Sequence, residues 1–304
     1  IPDPPMSLRG YDRAALTRTL GRSLVAGGFA DSHHPEYWDL DWVGHSPAAD
    51  DYHAIVRSLS NALDFLETVS GRQFHLTQRA DIYAAHEGLH LPYEQAQTRY
   101  VGREGRQRWY NLTTHFPWIG MRTAQIGGAH IEYFRGIANP VGVKVGQGMT
   151  REWLQQLVRT LNPNNEPGRL TLIHRFGAKA IEEHLPPLIS AVKETGSPVL
   201  WVSDPMHGNT ESTADGTKTR RFDNVISELK SAFRVHKAMG SYLGGVHLEL
   251  TGDNVTECTG GARGLTDADL ARAYKSTVDP RLNYEQAMEV AMLIAGLKDG
   301  KDPV

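Results

Sequence analysis

Val199-Leu200-Trp201-Val202-Ser203-Asp204, followed by Pro205-Met206-His207, is an apolar run of strand length that stops abruptly at polar side chains. The same form recurs on both sides of it. Upstream lie Val141-Gly142-Val143-Lys144-Val145 and Leu170-Thr171-Leu172-Ile173-His174-Arg175, and downstream lies Gly245-Val246-His247-Leu248-Glu249-Leu250. Apolar residues at helical spacing fill the intervals at about 150–161, 178–195 and 222–238. Strand–helix alternation of this kind predicts an α/β protein with a parallel sheet. An open doubly wound sheet and a closed (β/α)8 TIM-type barrel both fit it. The polar residues at the carboxyl ends of successive strands favour the barrel, which builds its sites on that rim; an open sheet gathers them at one switch point. Neither a G-x-G-x-x-G after a strand nor a P-loop occurs, so nucleotide binding has no motif behind it.

The amino-terminal region has a different texture. Residues 6–28 read as a helix stopped by Gly27-Gly28, and 51–70 as a second helix with Ile55, Leu59, Ala62, Leu63, Leu66 and Val69 on one face. Between them, 29–50 is turn-rich and aromatic, with His33, His34, Tyr37, Trp38 and Trp42. The 304 residues suffice for one large domain or two small ones. A net charge of -3 argues against a nucleic-acid binder, so any anionic ligand needs a local basic pocket. The single cysteine, Cys258, allows no internal disulfide and fits a reducing, cytoplasmic setting; a buried, inert thiol is its expected role. The absence of an 18-residue apolar run argues against a membrane span. The chain opens Ile1-Pro2-Asp3-Pro4-Pro5, with no initiator Met and no visible signal peptide, and is expected to be a fragment, a cleaved chain or a trimmed one.

Three residues, each at or just after a predicted strand end, are candidate metal ligands: His207, Glu249 and Asp279. One imidazole and two carboxylates suit divalent Mn, Fe, Co or Zn better than Ca. Each alone reads as an ordinary polar rim residue; the three together point to one site. Lys144 interrupts an apolar strand and points, with Gly142, away from the valines, as a ligand for an anion would. Arg175 and Arg122 suit bidentate recognition of carboxylate or phosphate, against the alternative of ion-paired surface side chains. His86-Glu87-Gly88-Leu89-His90 matches H-E-x-x-H literally, but Pro92 and Gly88 disfavour the regular helix that a zinc protease needs.

Several longer strings, in order along the chain, carry a resemblance: Leu91-Pro92-Tyr93-Glu94-Gln95, Trp118-Ile119-Gly120 with Arg122-Thr123, Asn139 to Val145, Ser203 to Thr210, Lys218-Thr219-Arg220, Gly244 to Glu249, Asp253 to Cys258 and Asp279 to Asn283. Together they resemble the type II 3-deoxy-D-arabino-heptulosonate 7-phosphate (DAHP) synthases over about residues 1–295. The resemblance implies a (β/α)8 barrel with inserted helices over about 29–79, forming one catalytic domain across 1–304. It implies condensation of phosphoenolpyruvate with erythrose 4-phosphate at the head of the shikimate pathway, or of a secondary-metabolite branch of it. His207, Glu249 and Asp279 would bind a divalent metal, Mn2+ or Co2+. Arg122, Lys144 and Arg175 would hold phosphoenolpyruvate, with Glu87 and Trp118 in the same pocket; Lys218 would also bind substrate, and Lys144 and Glu87 would be catalytic. The chain would assemble as a homo-oligomer.

The sequence also departs from the pattern. The family's cysteine metal ligand and its Lys-Pro-Arg-Ser string have no match, and are expected before Ile1 together with two barrel strands. Met121 stands where the family usually has an acid. Two other readings follow: a non-catalytic, synthase-like binding protein, and another metal-dependent aldolase on the same barrel.

Overall fold

The structure, a computed structural model, describes residues 3–29, 44, 46, 49–71, 81–103, 105–298 and 300. It divides into two compact units, Ile1–Ala84 and Ala85–Val304. The first holds two helices, α1 (Pro4–Ala26) and α2 (Ala49–Ser70). Helix α1 starts two residues before the expected point because Pro4 and Pro5 occupy its first turn, where a missing N–H costs nothing, and Asp3 caps it by accepting from Met6 N at 3.0 Å. Helix α2 forms where periodicity placed it, but its buried residues are Tyr52, Val56 and Leu63. Ile55, Leu59, Leu66 and Val69 are exposed, because burial follows whatever covers a helix and not its most apolar stripe. His33, His34, Tyr37, Trp38 and Trp42 lie outside the described residues.

The second unit is built on six parallel strands: β1 (Ala85–Glu87), β4 (Phe116–Ile119), β5 (Val141–Gly146), β6 (Leu170–Arg175), β7 (Val199–Ser203) and β10 (Leu243–Val246). Their spatial order, β1-β4-β5-β6-β7-β10, is also their chain order. The order never reverses, so the sheet lacks the switch point that defines a doubly wound fold. Two antiparallel hairpins, β2–β3 (Thr98–Arg103 and Arg106–Asn111) and β8–β9 (Thr210–Ser212 and Lys218–Arg220), leave the sheet between its strands. A parallel bridge between Leu250 and Leu282 continues the pairing beyond β10.

Helices α4 (Ala129–Gly136), α5 (Arg151–Leu161), α6 (Ile181–Thr195), α7 (Phe222–Ala238) and α8 (Tyr284–Lys298) follow the strands, and a short helix, α3 (Leu91–Ala96), follows β1. Val141, Val143 and Val145 of β5 with Leu170 and Leu172 of β6 bury one face of the sheet against Leu154, Leu157 and Val158 of α5 and Leu185 and Ile189 of α6. A second cluster joins α7 and α8 through Val225, Leu229, Val290 and Leu293 with Met206, Cys258 and Leu282. Period-2 alternation turns Gly142, Lys144 and Gly146 to the other face. That face is crowded: a Cβ on Gly142 would lie 2.9 Å from Phe116 Cζ and 2.9 Å from Trp118 Cβ.

One sequence expectation is corrected here, and the regular helix that Gly88 and Pro92 disfavour is not formed. The last predicted strand, 245–250, lies at 243–246, with a register slip against β7 between Leu243 and Gly245, and Glu249 stands beyond it. His86-Glu87 lies in strand β1 and His90 precedes α3, so the H-E-x-x-H match has no helix to put both imidazoles on one face. His86 Nε2 instead meets Glu94 Oε1 at 2.7 Å.

Candidate metal centre and anion pocket

The site forms where the chain leaves β7. Asp204 is fully buried and accepts from Met206 N at 3.0 Å and His207 N at 3.1 Å, which curls the loop back on itself. Its second oxygen accepts from His207 Nδ1 at 2.8 Å and pairs with Lys144 Nζ from β5. The Nδ1 contact fixes the imidazole so that Nε2 faces outward, 3.2 Å from Glu249 Oε1. Burial by itself would raise Asp204, but its hydrogen bond to His207 and the Lys144 charge hold the carboxyl well below its ordinary range. Burial opposes the imidazolium of His207, yet the hydrogen bonds to Asp204 and Glu249, with their charges, push it up to about 9. Lys144 is lowered, chiefly by burial and partly offset by Asp204.

His207, Glu249 and Asp279 each offer one donor atom, all within 4.8 Å of one another. Donors about 2 Å from one ion lie roughly 3–4 Å apart, so a small closure suffices. The set fits a divalent cation of borderline hardness: a tautomer-fixed imidazole and two carboxylates. Asp204, His207 and His247 form a second, overlapping group by the same measure.

The carboxylates are braced. Arg220 at the end of β9 is fully buried, and its guanidinium reaches Glu249, the Pro280 carbonyl beside Asp279, and Thr210 Oγ1 at 2.9 Å. Glu257, also fully buried, accepts from the backbone N–H groups of Lys275, Ser276 and Arg281 at 2.8–3.0 Å and so shapes the loop that presents Asp279. Lys218 Nζ donates to Asp279 Oδ1 at 3.2 Å.

Beside this cluster lie the cations. Lys144 Nζ sits 6.0 Å from the Trp118 ring centroid, and that ring meets His247 edge-on at 5.1 Å. Arg175 pairs in register with Gly146 and donates from Nη2 to the His207 carbonyl at 2.6 Å. Its Nε is buried and meets no acceptor among the described residues. Met121 Sδ lies 3.8 Å from Arg175 Nη1. Arg122 is exposed on a 3-10 turn, Met121–Thr123, that follows β4. Glu87, at the end of β1, fills the space that Gly120 leaves: a Cβ there would lie 2.1 Å from Glu87 Oε1.

The structure therefore brings together His207, Glu249 and Asp279, with Lys218 on Asp279, and places Lys144 and Arg175 against the same loop. Sequence reasoning missed Asp204, Arg220, Glu257 and His247 as parts of the site. His247 was within reach of it, since it stands beside Glu249 in the string Gly245 to Leu250. Cys258 is buried and free, with burial pushing its thiol up to about 12, so it is the inert residue expected.

Fold and donor set define an α/β protein with a candidate divalent-metal centre at the carboxyl ends of parallel strands. The chain belongs to the class-II DAHP synthetase family, whose model matches residues 1–295. It is 43% identical to phospho-2-dehydro-3-deoxyheptonate aldolase AroG of Mycolicibacterium smegmatis over 296 residues, 96% of this chain and 64% of that protein. It is 43% identical to the phospho-2-dehydro-3-deoxyheptonate aldolase of Streptomyces coelicolor over 295 residues (97% and 65%), and 43% identical to that of Neurospora crassa over 307 residues (96% and 64%). The chain thus spans 64–65% of the length of these relatives. A solved structure titled phospho-2-dehydro-3-deoxyheptonate aldolase from Francisella tularensis aligns at 16% identity and a TM-score of 0.41, covering 60% of this chain and 55% of that one, too distant to bear on fold or function. No described helix is long and apolar enough to cross a membrane.

Proposed function

We propose that this chain carries the metal and phosphoenolpyruvate sites of a DAHP synthase. Its reaction would join phosphoenolpyruvate and erythrose 4-phosphate to give the seven-carbon phosphate and inorganic phosphate. The observation that carries the reading is the meeting of His207, Glu249 and Asp279 from three separate segments, beside a buried lysine and an arginine with an unpaired Nε. Membership in the family supplies the substrates. In this reading the six ordered parallel strands are consecutive units of a (β/α)8 barrel, within one catalytic domain that carries helical additions over about 29–79. A cytoplasmic, homo-oligomeric enzyme belongs to the same proposal.

His207, Glu249 and Asp279 would hold the divalent ion, Mn2+ or Co2+. Such an ion, when bound, polarises an aldehyde carbonyl as a Lewis acid. Lys144, Arg175 and Arg122 bind the carboxylate and phosphate of phosphoenolpyruvate and fix C3 against the aldehyde carbon. The C3–C1 bond forms as the aldehyde π pair moves onto its oxygen, which takes a proton; positive charge develops at C2, and water adds there and gives up a proton. Phosphate then leaves with the electron pair of its C–O bond. Lys144 stabilises the developing anion in a site that excludes bulk water. Glu87 and Trp118 line the same pocket, with Glu87 assigned a catalytic part. Lys218 is assigned to erythrose 4-phosphate, beside Asp279.

The test is release of inorganic phosphate from the two substrates by the intact protein, before and after chelation and on return of Mn2+ or Co2+. Metal-dependent phosphate release with a seven-carbon product is expected. Tight metal and phosphoenolpyruvate binding without turnover would replace this reading by that of a synthase-like binding protein. Turnover of other aldehydes in preference to erythrose 4-phosphate would make it a different aldolase.

A further inference from the structure

Helix α7 buries one carboxylate completely, Glu228, and no ion pair reaches it among the described residues. Burying a carboxyl group without an ion-pair partner is costly, and an apolar side chain of similar size would stabilise the helix packing more. What Glu228 touches is informative. Oε1 accepts from Phe176 N at 2.9 Å, and Oε2 accepts from Asn209 Nδ2 at 2.7 Å. Phe176 follows Arg175 at the end of β6, and Asn209 stands two residues after His207 beyond β7. Asn209 in turn accepts at Oδ1 from Ala178 N at 3.0 Å and donates to the Pro205 carbonyl at 2.8 Å. The two loops meet backbone to backbone at glycines: a Cβ on Gly208 would lie 2.2 Å from Gly177 N. Across the same junction Arg175 Nη2 donates to the His207 carbonyl at 2.6 Å.

We infer that Glu228 is a positioning residue that clamps the loop after β6 to the loop after β7, and so fixes the Arg175 guanidinium relative to the His207 imidazole. The inference rests on the assignment of Arg175 to the anion pocket and His207 to the metal centre made above. Both carboxyl oxygens act as acceptors here, one for each loop. Glutamine offers one acceptor and one donor, so in either orientation it sets a donor against Phe176 N or against Asn209 Nδ2.

The experiment compares wild type, Glu228→Gln, Asn209→Ala and the double variant Asn209→Asp/Glu228→Gln in the intact protein. Aspartate at 209 accepts from the new glutamine amide and still accepts from Ala178 N, but it loses the donor to the Pro205 carbonyl, so the double variant restores the bridge with its polarity reversed and only in part. Amide hydrogen exchange at Phe176 and Ala178 is read first, then Mn2+ affinity and the KM for phosphoenolpyruvate. Glu228→Gln is expected to speed exchange at both amides. It should also weaken Mn2+ and raise that KM by about 10-fold each, as loss of a support behind a ligand does, with partial recovery of all three in the double variant. Should Glu228→Gln not fold, Asn209→Ala severs the same bridge from its other end. Unchanged exchange at both amides overturns the clamp whatever the activity. A lower melting temperature with metal affinity and KM intact also overturns it, leaving Glu228 a purely structural group. A wild-type protein that binds Mn2+ but releases no phosphate sinks the proposed function instead, and exchange still decides the clamp.

Discussion

Replacing Lys144 by methionine should cost both stability and turnover, by separable amounts. The ammonium is buried on the inner face of β5 and pairs with Asp204, which is itself fully buried. Methionine keeps most of the volume and removes the charge, leaving Asp204 with the donors Met206 N, His207 N and His207 Nδ1. Removing one partner of a buried pair costs about 3–5 kcal/mol. Three surviving donors put the loss near the lower end, and about 3 kcal/mol lowers the melting temperature of a unit this size by roughly 6–12 °C. Adding Asp204→Asn removes the other charge, so the double variant should recover part of that loss, with a coupling of about 1–3 kcal/mol in the double-mutant cycle. Turnover should not recover, because the group proposed to meet the substrate anion is gone. Loss of one preorganised charge costs about 10²–10³ in kcat. Calorimetric melting and phosphate release read the two effects on the same samples. A Lys144→Met protein with wild-type melting temperature and near-normal condensation would refute both the buried pair and the catalytic role.

Arg220→Met should leave Glu249 and the Pro280 carbonyl without their shared donor and weaken Mn2+ binding by about 10–100-fold, measured by titration calorimetry; unchanged affinity would show that the guanidinium does not set the ligand. Gly208→Ala should destabilise by about 1–3 kcal/mol or more, because its Cβ meets backbone and not a side chain that can swing away, and should lower turnover with it. Burial, with the Asp204 charge adding to it, pushes Glu228 up to about 7 from 4.5, so the folded state holds a proton that the unfolded state has already lost. Stability relative to Glu228→Gln should therefore fall by about 3 kcal/mol as pH rises from 4.5 to 7, as read by urea titration across that range; a flat difference would place the carboxylate in contact with water. His236 runs the other way, with burial lowering it to about 4. Its contribution to stability should be complete above pH 6.5 and lost on acidification toward pH 4, a limb that His236→Phe should flatten in acid unfolding.

Much of the fold was legible because strand and helix leave different periods in the apolar residues. β5, β6 and β7 and the helices α5, α6 and α7 lie within a few residues of their sequence positions. β1 and β4, of three and four residues, were not legible: so short a run shows no alternation, and its pairing partner lies far along the chain. The hairpins were missed for a related reason, since charge and turn residues mask their alternation. Of the candidate site, His207, Glu249 and Asp279 were readable as polar residues after apolar runs. Arg220 and Glu228 were not, since a charged residue in a polar string or on a helix gives no sign of its burial.

By itself the sequence determined the α/β class, the three metal-type donors and the placement of Lys144 opposite the valines, because these depend on local chemistry and on the two-residue period of a strand. Tertiary structure alone decided that Asp204 joins Lys144 to His207, that Arg220 grips two carboxylate-bearing segments, and that Glu228 ties the loops after β6 and β7. Each of those contacts spans a loop or a sheet register, and which side chain becomes buried there follows from packing between elements and not from neighbours in the chain.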